Sequence, residues 1–197
     1  MVTIRSRGRL PHWENTPATY FVTFRLADSL PKSVAEALDA ERKDILATAR
    51  AMGRDLSPSE RVRLAKLFSD KIEKCLDSGC GENHLVDPRV ALATMQALLH
   101  FDGQRYRLSA WCLMPNHVHV VFQPLGNHQL SEILHTWKSY SANQANRILG
   151  RAGAFWQREY YDHLVRDEKD FRRIIRYVMD NPRKANLVNW PWIGIRQ

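Results

Sequence analysis

The sequence predicts an α+β fold: a ferredoxin-like βαββαβ core with an antiparallel sheet, a helical hairpin inserted after the first strand, and a C-terminal helix. Three observations carry this. Stretches 20–26, 106–113 and 117–122 are β-branched and aromatic, as strands are. The segments between and after them place apolar residues at helical spacing. With the charged stretch 32–77 set aside, the order reads strand, helix, strand, strand, helix, strand, helix, the split unit whose sheet is covered by helices on one face and open to a ligand on the other.

The first strand, YFVTFRL at 20–26, ends at Ser29-Leu30-Pro31. Val34, Leu38, Ile45 and Leu46 then fit one helix. After a break at Ser57-Pro58, Val62, Leu64, Leu67, Phe68 and Ile72 fit a second, giving the inserted hairpin. A turn follows at Ser78-Gly79-Cys80-Gly81. Asp87 and Pro88 are an N-cap and first-turn proline for a helix running to about Asp102-Gly103. YRLSAWCL at 106–113 and HVHVVF at 117–122 are strands joined tightly by Met114-Pro115-Asn116. A long helix begins at Ser131-Glu132 and stops at Gly150. The segment 155–165 is extended, and 167–179 is an amphipathic helix that Asn181-Pro182 terminates.

With 44% hydrophobic residues among 197, the chain can bury a core, which excludes wholesale disorder. A net charge of +8 favours polyanionic partners. Arg5, Arg7 and Arg9 precede the first strand, and a second basic cluster occupies 166–176. Cys75, Cys80 and Cys112 are an odd number without paired zinc spacing, as in a reducing compartment. The start, MVTIRSRGRL, lacks the apolar stretch of a signal peptide, and no run approaches the roughly 18 apolar residues of a membrane span. The expectation is a soluble, cytoplasmic protein of one domain, 1–197, with 32–86 as the helical insertion.

His117-Val118-His119 is the sharpest chemical feature. Side chains alternate along a strand, so both imidazoles share a face and can converge on one ion, while Val118, Val120 and Phe122 face the core. A lone pair of this kind is more often two ordinary strand residues. Here a second element follows: Phe155-Trp156-Gln157-Arg158-Glu159-Tyr160-Tyr161-Asp162-His163. A phenol is a poor nucleophile while protonated. A nearby cation such as Arg158, or a metal-polarised phosphate, favours its phenolate character. Attack on a phosphodiester then leaves a phosphotyrosine that keeps the bond energy for rejoining. Without the histidines, the tyrosines would read as aromatic packing.

Met114-Pro115-Asn116-His117-Val118-His119-Val120-Val121, together with 155–163 and Tyr177 through Asn181-Pro182, closely resembles the REP-associated tyrosine transposases of the HUH single-strand endonuclease superfamily. The resemblance covers the first strand and about 87–188. It implies a metal-dependent, single-tyrosine transposase/endonuclease that cleaves and rejoins single-stranded or hairpin DNA at repetitive extragenic palindromes. His117 and His119 would bind Mg²⁺ or Mn²⁺. Tyr160, after Trp-Gln-x-x, would be the nucleophile in preference to Tyr161. The resemblance allows either a monomer or a homodimer.

Two imidazoles suit transition metals better than Mg²⁺, so an oxygen-bearing third ligand is expected. Asp162 shares a face with Tyr160 if the segment is extended; Gln157 and His163 are rivals. Arg5, Arg7 and Arg9 form either an arm following a DNA groove or a basic tail. Lys138 is a phosphate contact or a solvated lysine, and Arg158 and Asn116 are further candidate nucleic-acid contacts, Asn116 alternatively only supporting the turn. Two other functions compete: a non-catalytic nucleic-acid-binding protein for structured repeats, and a hydrolase whose histidines activate water.

Overall fold

The computed structural model describes residues 3–6, 11–14, 18–60, 75–76 and 81–196. A five-stranded antiparallel sheet runs in the order β6-β3-β5-β4-β7. Its strands are β3 (Tyr20–Arg25), β4 (Tyr106–Leu113), β5 (His117–Pro124), β6 (Tyr161–Leu164) and β7 (Ile193–Ile195). Helix α2 (Pro88–Leu99) connects β3 to β4 after the insertion, α3 (Leu130–Leu149) connects β5 to β6, and α4 (Glu168–Lys184) follows β6. The α+β class and antiparallel sheet are therefore as expected, with the four core strands interleaved and β7 added at the edge.

Local signals explain the helix boundaries. Asp87 caps α2 by accepting from Arg89 N, with Pro88 at the first position. A Gln129–Glu132 capping box starts α3, and Gly150 ends it at φ 61°. The terminus expected at Asn181-Pro182 is displaced: α4 continues to Lys184 with Pro182 inside it. Proline removes only its own N–H. The carbonyls of Asn181 and Pro182 still receive Ala185 N at 3.1 Å and Leu187 N at 2.9 Å, so the helix can run on.

Two further elements were not anticipated. Strand β7 is short and follows a Trp-Pro-Trp stretch, too little alternation to read as a strand. Gly194 lies where a Cβ would collide with the Trp111 ring, so only glycine lets β7 close on β4 there. At the other end, β1 (Thr3–Ser6) pairs with β2 (Pro11–Glu14) as an antiparallel hairpin, with Arg5 opposite His12. The expected arm is thus a hairpin at Arg5, whose side chain, like all of Arg7 and Arg9, lies outside the described residues.

In the insertion, α1 (Lys32–Ala51) packs Leu38 and Ile45 against Leu76 in a small separate cluster. The second expected helix, 62–72, and the turn residues 78–80 fall outside the described residues. Leu85, on a single 3₁₀ turn (His84–Val86), returns to the main core.

The strand alternation divides the sheet's apolar residues into two cores. Val22, Phe24, Leu108, Val118, Val120 and Phe122 pack under α2 and α3. Phe21, Ala110, Cys112 and Val121 lie on the other face, against Ile174 and Val178 of α4. The face expected to be open is therefore covered by α4, because the one-sided apolar stripe of that helix needs a partner.

Candidate metal and nucleophile centre

His117 and His119 sit side by side on β5, 1% and 0% exposed. Their Nε2 atoms are 2.9 Å apart. Each ring is held from behind at Nδ1, His117 by Asn116 Oδ1 and His119 by Thr23 Oγ1, both at 2.7 Å. The register explains these partners: Thr23 is directly opposite His119 on the adjacent strand. Phe21 stacks on the His119 ring with centroids 5.5 Å apart. Burial pushes the His117 pKa down to about 3. It takes His119 well below the usual range, with smaller contributions from His117 and Lys184. Both rings are neutral at pH 7, the form that offers a lone pair to a cation.

Helix α4 brings two more groups to the pair. Tyr177 and Asn181 are four residues apart and so share a helix face. Asn181 is fully buried, with Nδ2 3.4 Å from His119 Nε2. Its Oδ1 is buried with no hydrogen-bond partner among the described residues. A half-turn of the amide exchanges these two atoms. The Tyr177 ring centroid is 5.3 Å from that of His119, and Lys184 Nζ lies 4.9 Å over the tyrosine ring.

Several expected site residues are not at this centre. Asp162 pairs in register with Val22, so its side chain belongs to the opposite sheet face, away from the histidines. Among the described residues no third His, Cys, Asp or Glu joins the pair, which corrects the Asp162 expectation. Tyr160 shares the parity of Asp162 and packs against the core under α2 and α3, with Lys138 Nζ 5.9 Å over its ring. Tyr161, the neighbour given second place, is the one on the histidine face, edge-on to Phe21 at 6.2 Å. His163 is engaged with Asp170 at 2.8 Å.

The expected nucleic-acid contacts also change. Asn116 is fully buried. Its Oδ1 meets His117 and its Nδ2 donates to Leu76 O at 3.2 Å, so it holds the turn and the imidazole and is not available to DNA. Lys138 is half-buried and engaged: Nζ donates to Gln157 O at 2.7 Å and to Arg158 O at 2.8 Å, tying 155–160 to α3. Burial lowers its pKa to about 8. Arg158 is exposed, on the rim of a cleft of about 800 Å³ between α3 and 153–160.

Tyr177 and Asn181 entered the sequence reading only as part of the resemblance, with Asn181 read as a helix end, and were not named as site residues. Their signal was present as two polar groups at i and i+4 on a helix whose apolar stripe includes Ile174 and Val178.

Residues 97–181 match the family model described as "Transposase IS200 like". A Haemophilus influenzae protein assigned to the REP-associated tyrosine transposases is 29% identical over 97 residues, covering 42% of this chain and 55% of its own length. The REP-associated tyrosine transposase of Escherichia coli is 27% identical over 92 residues, covering 44% of this chain and 53% of that one. This chain thus spans about half the length of the curated relatives it matches. A solved structure of a REP-associated tyrosine transposase bound to a REP hairpin superposes with a TM-score of 0.53 at 17% identity, over 96% of this chain and 82% of the other, a likeness of fold. The resemblance read from 114–121 and 155–182 is shown by these matches. No helix among the described residues is long and apolar enough to cross a membrane.

Proposed function

We propose that this chain, whose residues 97–181 carry an IS200-like transposase core, cleaves and rejoins single-stranded or hairpin DNA through a covalent phosphotyrosine on Tyr177. The observation that carries the reading is the placement of Tyr177 and Asn181, one helical turn apart, against the buried neutral pair His117 and His119. The repetitive extragenic palindromes of the relatives are the proposed DNA, and the net charge of +8 suits any phosphate backbone.

A divalent cation fits the donor set. The two Nε2 atoms converge, and Asn181 supplies the oxygen that two imidazoles alone lack, in the form of a buried acceptor. Mn²⁺ suits two nitrogens and one amide oxygen better than Mg²⁺ does. When bound, the ion supplies Lewis-acid polarisation of a phosphoryl oxygen.

The remaining chemistry belongs to the chain. The Tyr177 oxygen attacks phosphorus and forms the P–O bond of the phosphotyrosine as the P–O bond to one deoxyribose oxygen breaks. That oxygen takes up a proton and departs as a hydroxyl. The phenolic oxygen gives up its proton as its bond to phosphorus forms, balancing the one taken up by the departing oxygen, and Lys184 Nζ, 4.9 Å over the ring, places a positive charge beside it. Attack by a DNA hydroxyl on the phosphotyrosine reverses these steps and rejoins the strand.

Incubation of labelled hairpin DNA with Mn²⁺, followed by a denaturing gel, tests this. The wild type should leave a DNA–protein band, Tyr177→Phe should abolish it while retaining DNA binding, and Tyr160→Phe should keep it. An undiminished band in Tyr177→Phe contradicts the assignment. DNA binding without any band in the wild type leaves a nucleic-acid-binding protein, and cut DNA without a band leaves a hydrolase.

A further inference from the structure

The second basic cluster of the sequence lies largely on α4, and the helix sorts it onto one side. At about 100° per residue, positions 169, 172, 173, 176, 183 and 184 fill one sector about 120° wide, and all are exposed lysines or arginines. Ile174 and Val178, which pack on the sheet, lie opposite. Tyr177 and Asn181 stand on the margin between the two. Asp180 is the one carboxylate within the basic sector, and it reaches Arg183 at 3.8 Å. Glu168 and Asp170 pair from outside it with Arg172 and Arg173. Lys169, Arg176 and Lys184 have no carboxylate partner among the described residues. The helices on the other face of the sheet differ. The only exposed cation of α2 is Arg89, held by Asp87 at 2.6 Å, and that of α3 is Arg147. Helix stability does not account for the row on α4. Cations in a last turn favour the helix dipole, but Lys169 in the first turn opposes it.

We propose that this face of α4 is a track for the backbone of the unpaired DNA strand that Tyr177 attacks, with Lys169, Arg176 and Lys184 as its phosphate contacts. The proposal rests on the reading of Tyr177 as the nucleophile. Where the cations stand decides the occupant. Arg176 is the residue before Tyr177, and Lys184 Nζ lies 4.9 Å over the tyrosine ring. A strand whose scissile phosphate meets the phenol lays its neighbouring phosphates against those two charges. Lys169 extends the row to ~22 Å from Lys184 along the helix axis. Lysine and arginine heads on long stems follow the backbone of any sequence, so the track contributes affinity and placement without selecting bases.

The salt dependence of binding tests this, using the full chain, a labelled single-stranded oligothymidylate and a blunt duplex of equal length. For a single strand, the slope of log affinity against log salt is about 0.7 per phosphate contact. Lys169→Gln combined with Arg176→Gln should therefore lower the slope for the single strand by about 1.4. The wild-type advantage at about 50 mM salt then shrinks about sevenfold by about 200 mM. Lys169→Arg with Arg176→Lys keeps both charges and should keep the slope. Arg107→Gln with Arg147→Gln removes equal charge from exposed positions on β4 and α3 and should leave the slope unchanged. Any one of four results overturns the proposal: an unchanged slope in the first variant, a lost slope in the charge-keeping one, an equal fall in the β4 and α3 pair, or a fall seen only with the duplex. All these positions are exposed, so each variant should fold. The parent reading fails separately. A wild type that leaves no DNA–protein band sinks Tyr177 as nucleophile, while the slopes still decide whether α4 carries unpaired DNA.

Discussion

Replacing Asn181 by aspartate tests whether its side-chain oxygen is poised for a cation. The position is fully buried, faces His119, and carries an acceptor without a partner among the described residues. A carboxylate there loses its hydration, the neutral histidines give it no positive charge, and Lys184, which acts on His119 more weakly than burial does, offsets only part of that loss. Desolvation of this kind raises an acid's pKa by up to about 3 units. At about 1.36 kcal/mol per unit, the variant should be about 3–4 kcal/mol less stable than wild type at pH 7 without metal. The folded pKa is raised above the unfolded value of about 3.9, so the folded state binds more protons between the two. The penalty is absent below about pH 4 and grows as pH rises toward the folded pKa. A bound cation reverses it by pairing with the new charge; at 100 times its Kd the ion returns about 2.7 kcal/mol by mass action alone. Urea unfolding at pH 4 and pH 7, with and without Mn²⁺, measures each of these quantities. A variant whose stability relative to wild type changes with neither pH nor Mn²⁺ would refute the placement of Asn181 in a dry cation site.

Two further predictions concern Lys138 and Gly194. Lys138→Met should remove the tie between α3 and 155–160, which comprises two bonds to carbonyl oxygens, and lower stability at pH 7 while leaving DNA affinity intact; a large loss of DNA affinity at unchanged stability would return Lys138 to a phosphate-contact role. Burial depresses this lysine to about 8 from 10.5, so the folded state sheds its proton first, and wild type should gain on Lys138→Met as pH rises from 8 to 10.5, by at most about 3 kcal/mol. Gly194→Ala should cost about 1–3 kcal/mol by overpacking against Trp111, read as a lower urea midpoint; an unchanged midpoint would show that β7 is not closed on β4 as described.

The elements easiest to read were those whose local chemistry and tertiary role agree. Asp87-Pro88 starts a helix because a carboxylate and a proline both satisfy its first turn, and burial then follows the same periodicity. HVHVVF is a strand for local reasons and is buried on both faces. The misses occur where tertiary contacts overrule local signals. Pro182 is a helix breaker by type, yet it sits inside α4, where the last carbonyls find donors further along the chain. The residues of β7 carry little strand propensity, and the strand exists because β4 offers an edge and Gly194 admits the Trp111 ring.

The histidine pair was legible in the sequence, whereas the groups that the structure brings beside it were not, and the reason is parity. Along an extended segment, choosing Tyr160 or Tyr161 decides the face, and nothing in the local sequence says which face carries the histidines. Only the pairing of β6 with β3 decides it: Thr23 is opposite both His119 and Tyr161, so Tyr160 and Asp162 must lie on the far side. That register turns the search from β6 to whatever covers the histidine face. The covering element is α4, whose helical period brings Tyr177 and Asn181 to the same place that β5 brings His117 and His119. The nucleophile proposed here, being on a helix, also differs mechanically from one on the sheet. Tyr177 is attached to an element held by side-chain packing through Ile174 and Val178, not by a ladder of backbone bonds. Motion of α4 would shift the phenol and the Asn181 oxygen together while leaving the histidines in place.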